Sequence, residues 1–219
     1  MTLQLYGHPF SSYTWKALIA LRENGNAFAM RALGPDGAEN LATLKQIWPI
    51  AKFPVLVDDD LTIMEASAII EYLEVANGGR AHLIPQDAIA AVEARMLDRI
   101  FDSYVMNQMQ VFVDNRLRAP ERRRPWDDEA AATTLDTIYV WLEARLDGRV
   151  WAVGDAFSIA DCAAAPALFY ADWVHPIPEA HARLRAYRQR LLARPSIKAT
   201  VDEARPYRHF FPLGAPDRD

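Results

Sequence analysis

The chain has 219 residues, 51% of them apolar, which is enough to fill the core of one large domain or two small ones. Its net charge of -5 gives no basic surface of the kind that binds nucleic acid. The N-terminus has no signal-peptide pattern, and no apolar run approaches the roughly 18 residues of a membrane span. We therefore expect a soluble, cytoplasmic protein with no nucleic-acid or membrane partner.

The first part of the chain alternates strand and helix patterns. These predict a domain over residues 1–79 with the order βαβαββα. The predicted elements are a strand at 3–6, a helix from Ser11 to a stop at Gly25, a strand at 27–32, a short helix at 41–48, hairpin strands at 55–57 and 61–64, and a helix from 65 that residues 77–79 end.

The rest of the chain has helical periodicity only. After a linker that ends near residue 87, it predicts an all-helical domain over residues 88–219. The predicted helices cover 89–117, 127–146, 158–172, 179–192 and 196–204.

Two features inside that helical part are structural in our interpretation. Ser158 and Asp161 have the spacing of a capping box at a helix start, and we interpret them as a cap rather than a catalytic pair. Cys162 is the single cysteine, so the chain has neither an internal disulfide nor a Cys-x-x-Cys redox pair. Because Cys162 lies one turn inside an apolar helix, we expect a buried, unreactive thiol.

Phe-Pro-Val-Leu at 53–56, followed by Glu-x-x-Ala-Ile-x-x-Tyr-Leu at 65–73, resembles the glutathione-binding half of cytosolic glutathione transferases. The resemblance extends over nearly the whole chain and implies a thioredoxin-like domain followed by an all-α domain. It also implies that a cis Pro54 loop holds the cysteinyl backbone of glutathione, although X-Pro base rates alone favour a trans bond. The helix start at Glu65 would receive the γ-glutamyl end, where helix N–H groups attract a carboxylate.

The resemblance further implies a hydroxyl donor at the start of the first helix, which keeps the glutathione sulfur as a thiolate. Both alignments of the loop select Ser11 as the catalytic residue, acting as a hydrogen-bond donor rather than a nucleophile. The alternative is that Ser11 only caps the helix. Ser12, Tyr13 and Tyr6 are substitutes for the sulfur contact, and His8 is expected to orient the loop.

The glutathione-binding residues that the resemblance implies depart from the family pattern at two positions. Ala66 stands where the family usually has Ser or Thr, and Asn40 stands where several serine-type classes have a lysine. We expect Lys52 to take over part of that lysine's role, which is to bind the glycyl end of glutathione. The full predicted set is Ser11, Asn40, Lys52, Phe53, Pro54, Glu65, Ala66 and Ser67.

The second substrate would bind between the first loop and the helical domain. The candidates for this electrophile pocket are Phe10, Tyr13, Tyr104, Met109, Phe112 and Trp173. Aromatic and methionine residues at helical spacing are more often core, which is the competing interpretation.

The resemblance therefore implies a glutathione transferase that conjugates glutathione, its co-substrate, to small electrophiles in a detoxification role, without a metal and as a homodimer. One alternative is a glutathione-dependent isomerase, dehalogenase or peroxidase. The Ser-Ser opening is similar to the zeta class, whose cysteine is replaced here by Tyr13. Another alternative is a non-catalytic binding subunit, which Ala66 and Asn40 would suit.

Overall fold

The computed structural model describes residues 3–76 and 80–219. Its first half has the predicted βαβαββα order, and the predicted helix end at 77–79 lies outside the described residues. The elements are β1 Leu3–Gly7, α1 Ser12–Glu23, β2 Phe28–Ala32, α2 Ala38–Ile47, β3 Val55–Asp58, β4 Leu61–Met64 and α3 Ala66–Ala76.

The four strands form one mixed sheet in the order β2-β1-β3-β4. Strand β1 runs parallel to β2 and antiparallel to β3, and β3 and β4 form the predicted hairpin with Val55 opposite Met64. Helix α2 ends at Ile47 and Trp48 is extended, because the following Pro49 disfavours helical backbone in the residue before it. This topology confirms the predicted thioredoxin-like class.

The second half is helical, as predicted. Its elements are α4 Ala88–Ile100, a π-helix Phe101–Met106, α5 Asn107–Leu117, α6 Pro125–Arg145, α7 Ile159–Val174, α8 Ala182–Ala193 and α9 Pro195–Ala204, followed by a 3₁₀ segment Arg205–Phe210. The prediction of one regular helix over 89–117 was wrong, because the six residues Phe101–Met106 in its middle form a wider π-helix. A periodicity argument assumes 3.6 residues per turn and so cannot detect this change. The division into domains at 1–79 and 88–219 stays a prediction.

Helix α7 forms the centre of the core, with every residue from Ile159 to Asp172 buried. Helix α1 packs directly on it, and the ring centroids of Trp15 and Phe169 lie 4.8 Å apart. The start of α1 is therefore held at the junction between the sheet and the helical half. Within the described ranges, none of the helices combines the length and apolar character that crossing a membrane requires.

The Ser158–Asp161 cap and the Cys162 thiol both have structural roles. Asp161 accepts the backbone N–H of Ser158 at 2.8 Å and that of Ala152 at 2.9 Å, so it closes the start of α7. The Cys162 thiol is fully buried, and this burial raises its pKa well above the usual value. A buried thiol of raised pKa is unreactive, which agrees with the expectation.

Candidate active site

Two cavities meet beside the loop that precedes α1. The first, called here the apolar cavity, has a volume of about 510 Å³ and is lined mainly by Phe10, Met109, Val113, Tyr170, Phe210 and Phe211. The second, called the polar cavity, has a volume of about 320 Å³, and its polar and charged lining includes Tyr13, Glu65, Arg99, Asp102, Ser103 and Asn107. Tyr13, Lys52 and Phe53 line both cavities, so a ligand in one adjoins a ligand in the other.

Ser11 lies in the wall of the apolar cavity at the N-cap of α1. Its Oγ accepts the backbone N–H of Thr14 at 3.4 Å, which is the capping role considered above. A hydroxyl that accepts this bond keeps its own proton and can still donate it. Capping and catalysis are therefore compatible roles for Ser11.

The loop that carries Ser11 is fixed on three sides. His8 accepts the N–H of Phe10 through Nδ1 at 3.1 Å, the Trp15 indole donates to the Pro9 carbonyl at 2.6 Å, and the Tyr170 hydroxyl donates to the Phe10 carbonyl at 2.9 Å. Burial lowers the pKa of His8, so a neutral ring that accepts this bond is favoured. His8 thus orients the loop, in agreement with its expected role.

The other candidates for the sulfur contact lie in different surroundings. Ser12 lines the apolar cavity, whereas Tyr6 is buried in β1 and packs against Leu33 and Val55, away from both cavities. The Tyr13 hydroxyl donates to Asn107 Oδ1 at 3.3 Å. Burial, followed by the negative charge of Asp102, raises the pKa of Tyr13 to about 12, so this phenol is a donor at neutral pH.

The loop before β3 and the start of α3 supply one wall of the polar cavity. The Phe53–Pro54 peptide is cis, as the resemblance implied and against the base-rate expectation. Lys52, Phe53 and Pro54 line this wall, as do Glu65 and Ala66. Because Ala66 begins α3 and lines this wall, the first N–H groups of that helix, which have no partner within it, lie at the cavity, where the helix dipole attracts an anion. This part of the predicted set is thus brought together.

The opposite wall was missed by sequence reasoning. Arg99, Asp102, Ser103 and Asn107 project from the end of α4, the π-helix and the start of α5. Behind them, the ammonium of Lys16 on α1 lies 2.7 Å from Asp102 Oδ2. Burial raises the pKa of Asp102, and the positive charge of Lys16 opposes that effect. No signal in the sequence marked these residues, because the π turn sets which side chains face the cavity.

Several predicted residues lie outside the lining of both cavities. Asn40 donates to the Ala32 carbonyl at 2.8 Å and so closes the end of β2. Ser67 donates to Asp98 Oδ2 at 2.9 Å and accepts a bond from Lys16. Tyr104 lies outside both cavities with 53% of its surface exposed.

Phe112 and Trp173 pack against the main core rather than lining the apolar cavity. The cavity side of α5 carries Met109, Val113 and Leu117, which are spaced four residues apart, so Phe112 falls off this line. Trp173 lies behind Phe10, with ring centroids 6.3 Å apart, and supports the wall indirectly. Only Phe10, Tyr13 and Met109 of the predicted pocket line the cavity.

The segment after the last helix completes the apolar cavity and was also missed. Phe210, Phe211 and Pro212 line it. The segment is held against the loop before α1, because His8 stacks edge-on to Tyr207 with centroids 4.9 Å apart. The dense run of aromatic residues between 207 and 211 was the available signal for this wall.

Family models, curated relatives and solved structures all point to the same protein family. The models "Glutathione S-transferase, N-terminal domain" and "Glutathione S-transferase, C-terminal domain" match residues 1–75 and 114–190. Glutathione S-transferase 4 of Zea mays is 30% identical over 97% of this chain and 95% of that protein. A probable maleylacetoacetate isomerase of Caenorhabditis elegans is 29% identical over 77% and 78%, respectively. A glutathione S-transferase structure from Methylobacillus flagellatus KT with GSH bound covers 91% of this chain and 98% of its own, with a TM-score of 0.79 at 24% identity.

Proposed function

Because the chain belongs to the glutathione S-transferase family, we propose that it conjugates glutathione to small apolar electrophiles. The observation that carries this proposal is the junction of the two cavities at Tyr13 and Lys52, with Ser11 beside it. One cavity is charged and the other is apolar, as a charged tripeptide and an apolar second substrate require.

Glutathione fits the polar cavity by charge. Its glutamyl end carries a carboxylate, which suits the first N–H groups of α3 and Arg99, and an ammonium, which suits Asp102 and Glu65. Lys52 lies where the two cavities join, and we assign it to the glycyl carboxylate. This arrangement directs the cysteinyl sulfur toward Ser11.

Ser11 would then keep its own proton and donate a hydrogen bond from its hydroxyl to the sulfur, while the thiol proton leaves to solvent and the thiolate forms. A thiol of pKa near 8.5 is only about 3% ionised at pH 7, and lowering that pKa by about two units requires about 2.7 kcal/mol. A hydrogen bond to a charged acceptor supplies about 1.5–3 kcal/mol, and the start of α1 adds about 0.3–1 kcal/mol. The thiolate then attacks a carbon of the electrophile, forming the C–S bond as a leaving group departs or a double bond is protonated.

A glutathione-dependent isomerase is the second candidate, favoured by the relative named a probable maleylacetoacetate isomerase and by the Ser-Ser loop. In such a reaction the thiolate adds to a conjugated double bond, rotation follows, and the thiolate leaves again, so glutathione is not consumed. Measuring glutathione consumption against isomerised product separates the two candidates.

We also propose that the protein is a cytoplasmic homodimer with a detoxification role. The outer face of α4 carries Ile89, Val92 and Met96, which share one side of the helix and expose 76%, 62% and 42% of their surface. Exposed apolar residues grouped in this way are typical of an interface. Sedimentation of the wild type and of Met96→Glu tests this, since only the wild type should sediment as a dimer.

The transferase proposal is tested by the ultraviolet absorbance of the thiolate when glutathione is added across a pH series. We expect a bound thiol pKa well below that of free glutathione. In Ser11→Ala that pKa should return about one to two units toward the free value, while the neighbouring Ser12→Ala leaves it low. Absence of binding, or binding with an unshifted thiol, would overturn the proposal and favour a non-catalytic binding subunit.

A further inference from the structure

Lys16 is the most deeply buried cation of the described chain, with 1% of its side chain exposed. Its ammonium lies 2.5 Å from Asp98 Oδ1, and it donates to Asp102 Oδ2 at 2.7 Å and to Ser67 Oγ at 2.8 Å. It therefore joins α1, which carries Ser11 at its cap, to the start of α3 and to the π-helix. Lys16 itself lines neither cavity.

The two carboxylates around Lys16 are not equivalent. Asp98 is 2% exposed and balances the buried charge of Lys16, and it also pairs with Arg99, whose side chain is 57% exposed. Asp102 is 17% exposed and lines the polar cavity. A purely structural ion pair needs only Asp98, and a second carboxylate at the cavity edge adds a desolvation cost.

We propose that Lys16 is a positioning residue for the glutamyl end of glutathione: it holds the Asp102 carboxylate charged and turned toward the polar cavity, where that carboxylate receives the ligand's ammonium. This inference rests on the proposed function. It assigns no contact between Lys16 and the ligand.

Burial is the largest influence on the ionisation of Asp102, and Lys16 is the group that opposes it most strongly. Burial disfavours the carboxylate and Asp98 adds to that effect, whereas Lys16 favours the carboxylate most and Arg99 favours it from 3.5 Å. Without Lys16, Asp102 would bind a proton at higher pH and lose its attraction for an ammonium. The titratable and charged groups that face it are Tyr13 and Lys16 from α1, Glu65 from the start of α3, and Asp98 and Arg99 from α4.

The test compares two ligands by calorimetry on the full-length protein. One is glutathione, and the other is glutaryl-Cys-Gly, which keeps both carboxylates and the thiol but lacks the ammonium. We expect the wild type to bind glutathione at least about tenfold more tightly than this analogue. In Lys16→Met the ratio of the affinity for glutathione to the affinity for the analogue should fall toward one near neutral pH. It should recover as the pH is raised, because Asp102 then loses its proton.

Three further variants separate charge from packing. Lys16→Arg should keep the ratio, and Lys45→Met, at an exposed lysine on α2, should leave it unchanged. In an Asp102→Asn background the affinity ratio should already be reduced to the level seen in Lys16→Met, with Glu65 still present, and adding Lys16→Met should not lower it further. Where Lys16→Met does not fold, Lys16→Gln, which is neutral but still donates hydrogen bonds, gives the same readout.

A merely structural Lys16 would weaken both ligands equally and leave the ratio unchanged in Lys16→Met or Lys16→Gln, which would overturn the inference. A wild type that binds both ligands equally would overturn it as well. Either result leaves the proposed function intact as long as glutathione binds with a shifted thiol pKa. A wild type that binds neither ligand contradicts the proposed function itself.

Discussion

The polar and apolar cavities meet at the same three residues but are built in opposite ways. The polar cavity takes its groups from the start of α3 and from α4 and the π-helix, and its charged side chains are anchored by ion pairs such as Lys16 to Asp102. The apolar cavity is made by the loop before α1, by α5 and by the segment at 210–212. Aromatic packing, such as that between Phe10 and Phe211, holds the loop and the segment together. The charged side chains of the polar cavity are held by directional bonds, whereas the side chains that line the apolar cavity are held by packing.

This difference matches two kinds of ligand. Hydrogen bonds and ion pairs lose much of their energy with small displacements, so the polar cavity suits one invariant ligand. Apolar packing is non-directional and tolerates changes of shape, so the apolar cavity suits a range of second substrates. Changes in the polar cavity should therefore have large effects that depend on pH, and changes in the apolar cavity should have smaller effects that depend on the substrate.

The largest effect is expected for Asp102→Asn. Loss of a charged partner for the ligand's ammonium should raise the KM for glutathione about tenfold or more, with little change in the KM for the electrophile. In the wild type, the affinity for glutathione should fall as the pH decreases through the raised pKa of Asp102, because the protonated carboxyl no longer attracts a cation.

The measurement is the pH dependence of kcat/KM for glutathione in both proteins. The variant should lack the acid-side decrease caused by this carboxyl. The exposed Asp114→Asn on α5 is a matched control and should behave as the wild type. An unchanged acid limb in Asp102→Asn would contradict the assignment of this carboxylate to the glutamyl end.

An intermediate effect is expected for Phe210→Ala. Removing this ring from the wall of the apolar cavity should lower kcat/KM about three- to tenfold for aromatic electrophiles and less for small aliphatic ones, because aromatic contacts contribute about 0.5–1.5 kcal/mol. The KM for glutathione should not change.

Steady-state kinetics with one aromatic and one aliphatic electrophile measure this effect. Leu213→Ala is a suitable control, since Leu213 is similarly exposed, is close in sequence and lies outside the cavity lining. Equal losses for both electrophiles would mean that Phe210 supports the fold rather than selecting the substrate.

The sequence predicted the parts of each cavity that depend on residues close together in the chain. It did not predict the parts that depend on packing between distant elements. Glu65, Ala66 and the Phe53–Pro54 peptide belong to a short motif, and the resemblance of that motif to a known family predicted them, whereas base rates alone favoured a trans peptide. Asp102 and Phe210 come from a π turn and from a terminal segment, whose positions depend on packing over the whole fold. The element order was predictable because hydrophobic periodicity is local, while the π-helix breaks that periodicity.

The smallest effect is expected at Asn40, where a family pattern and the structure disagree. The resemblance assigns this position to glutathione, but the Asn40 amide donates to the Ala32 carbonyl at 2.8 Å. Asn40→Ala should therefore leave the KM for glutathione within about twofold while lowering the free energy of unfolding by about 0.5–1.5 kcal/mol, the usual contribution of one hydrogen bond. Lys52→Ala, at the cavity junction, should show the reverse, with a raised KM and little change in stability. Urea unfolding and glutathione kinetics on the two variants decide between the assignments, because a raised KM in Asn40→Ala would return this residue to the binding site and show that α2 forms part of the polar cavity when glutathione is bound.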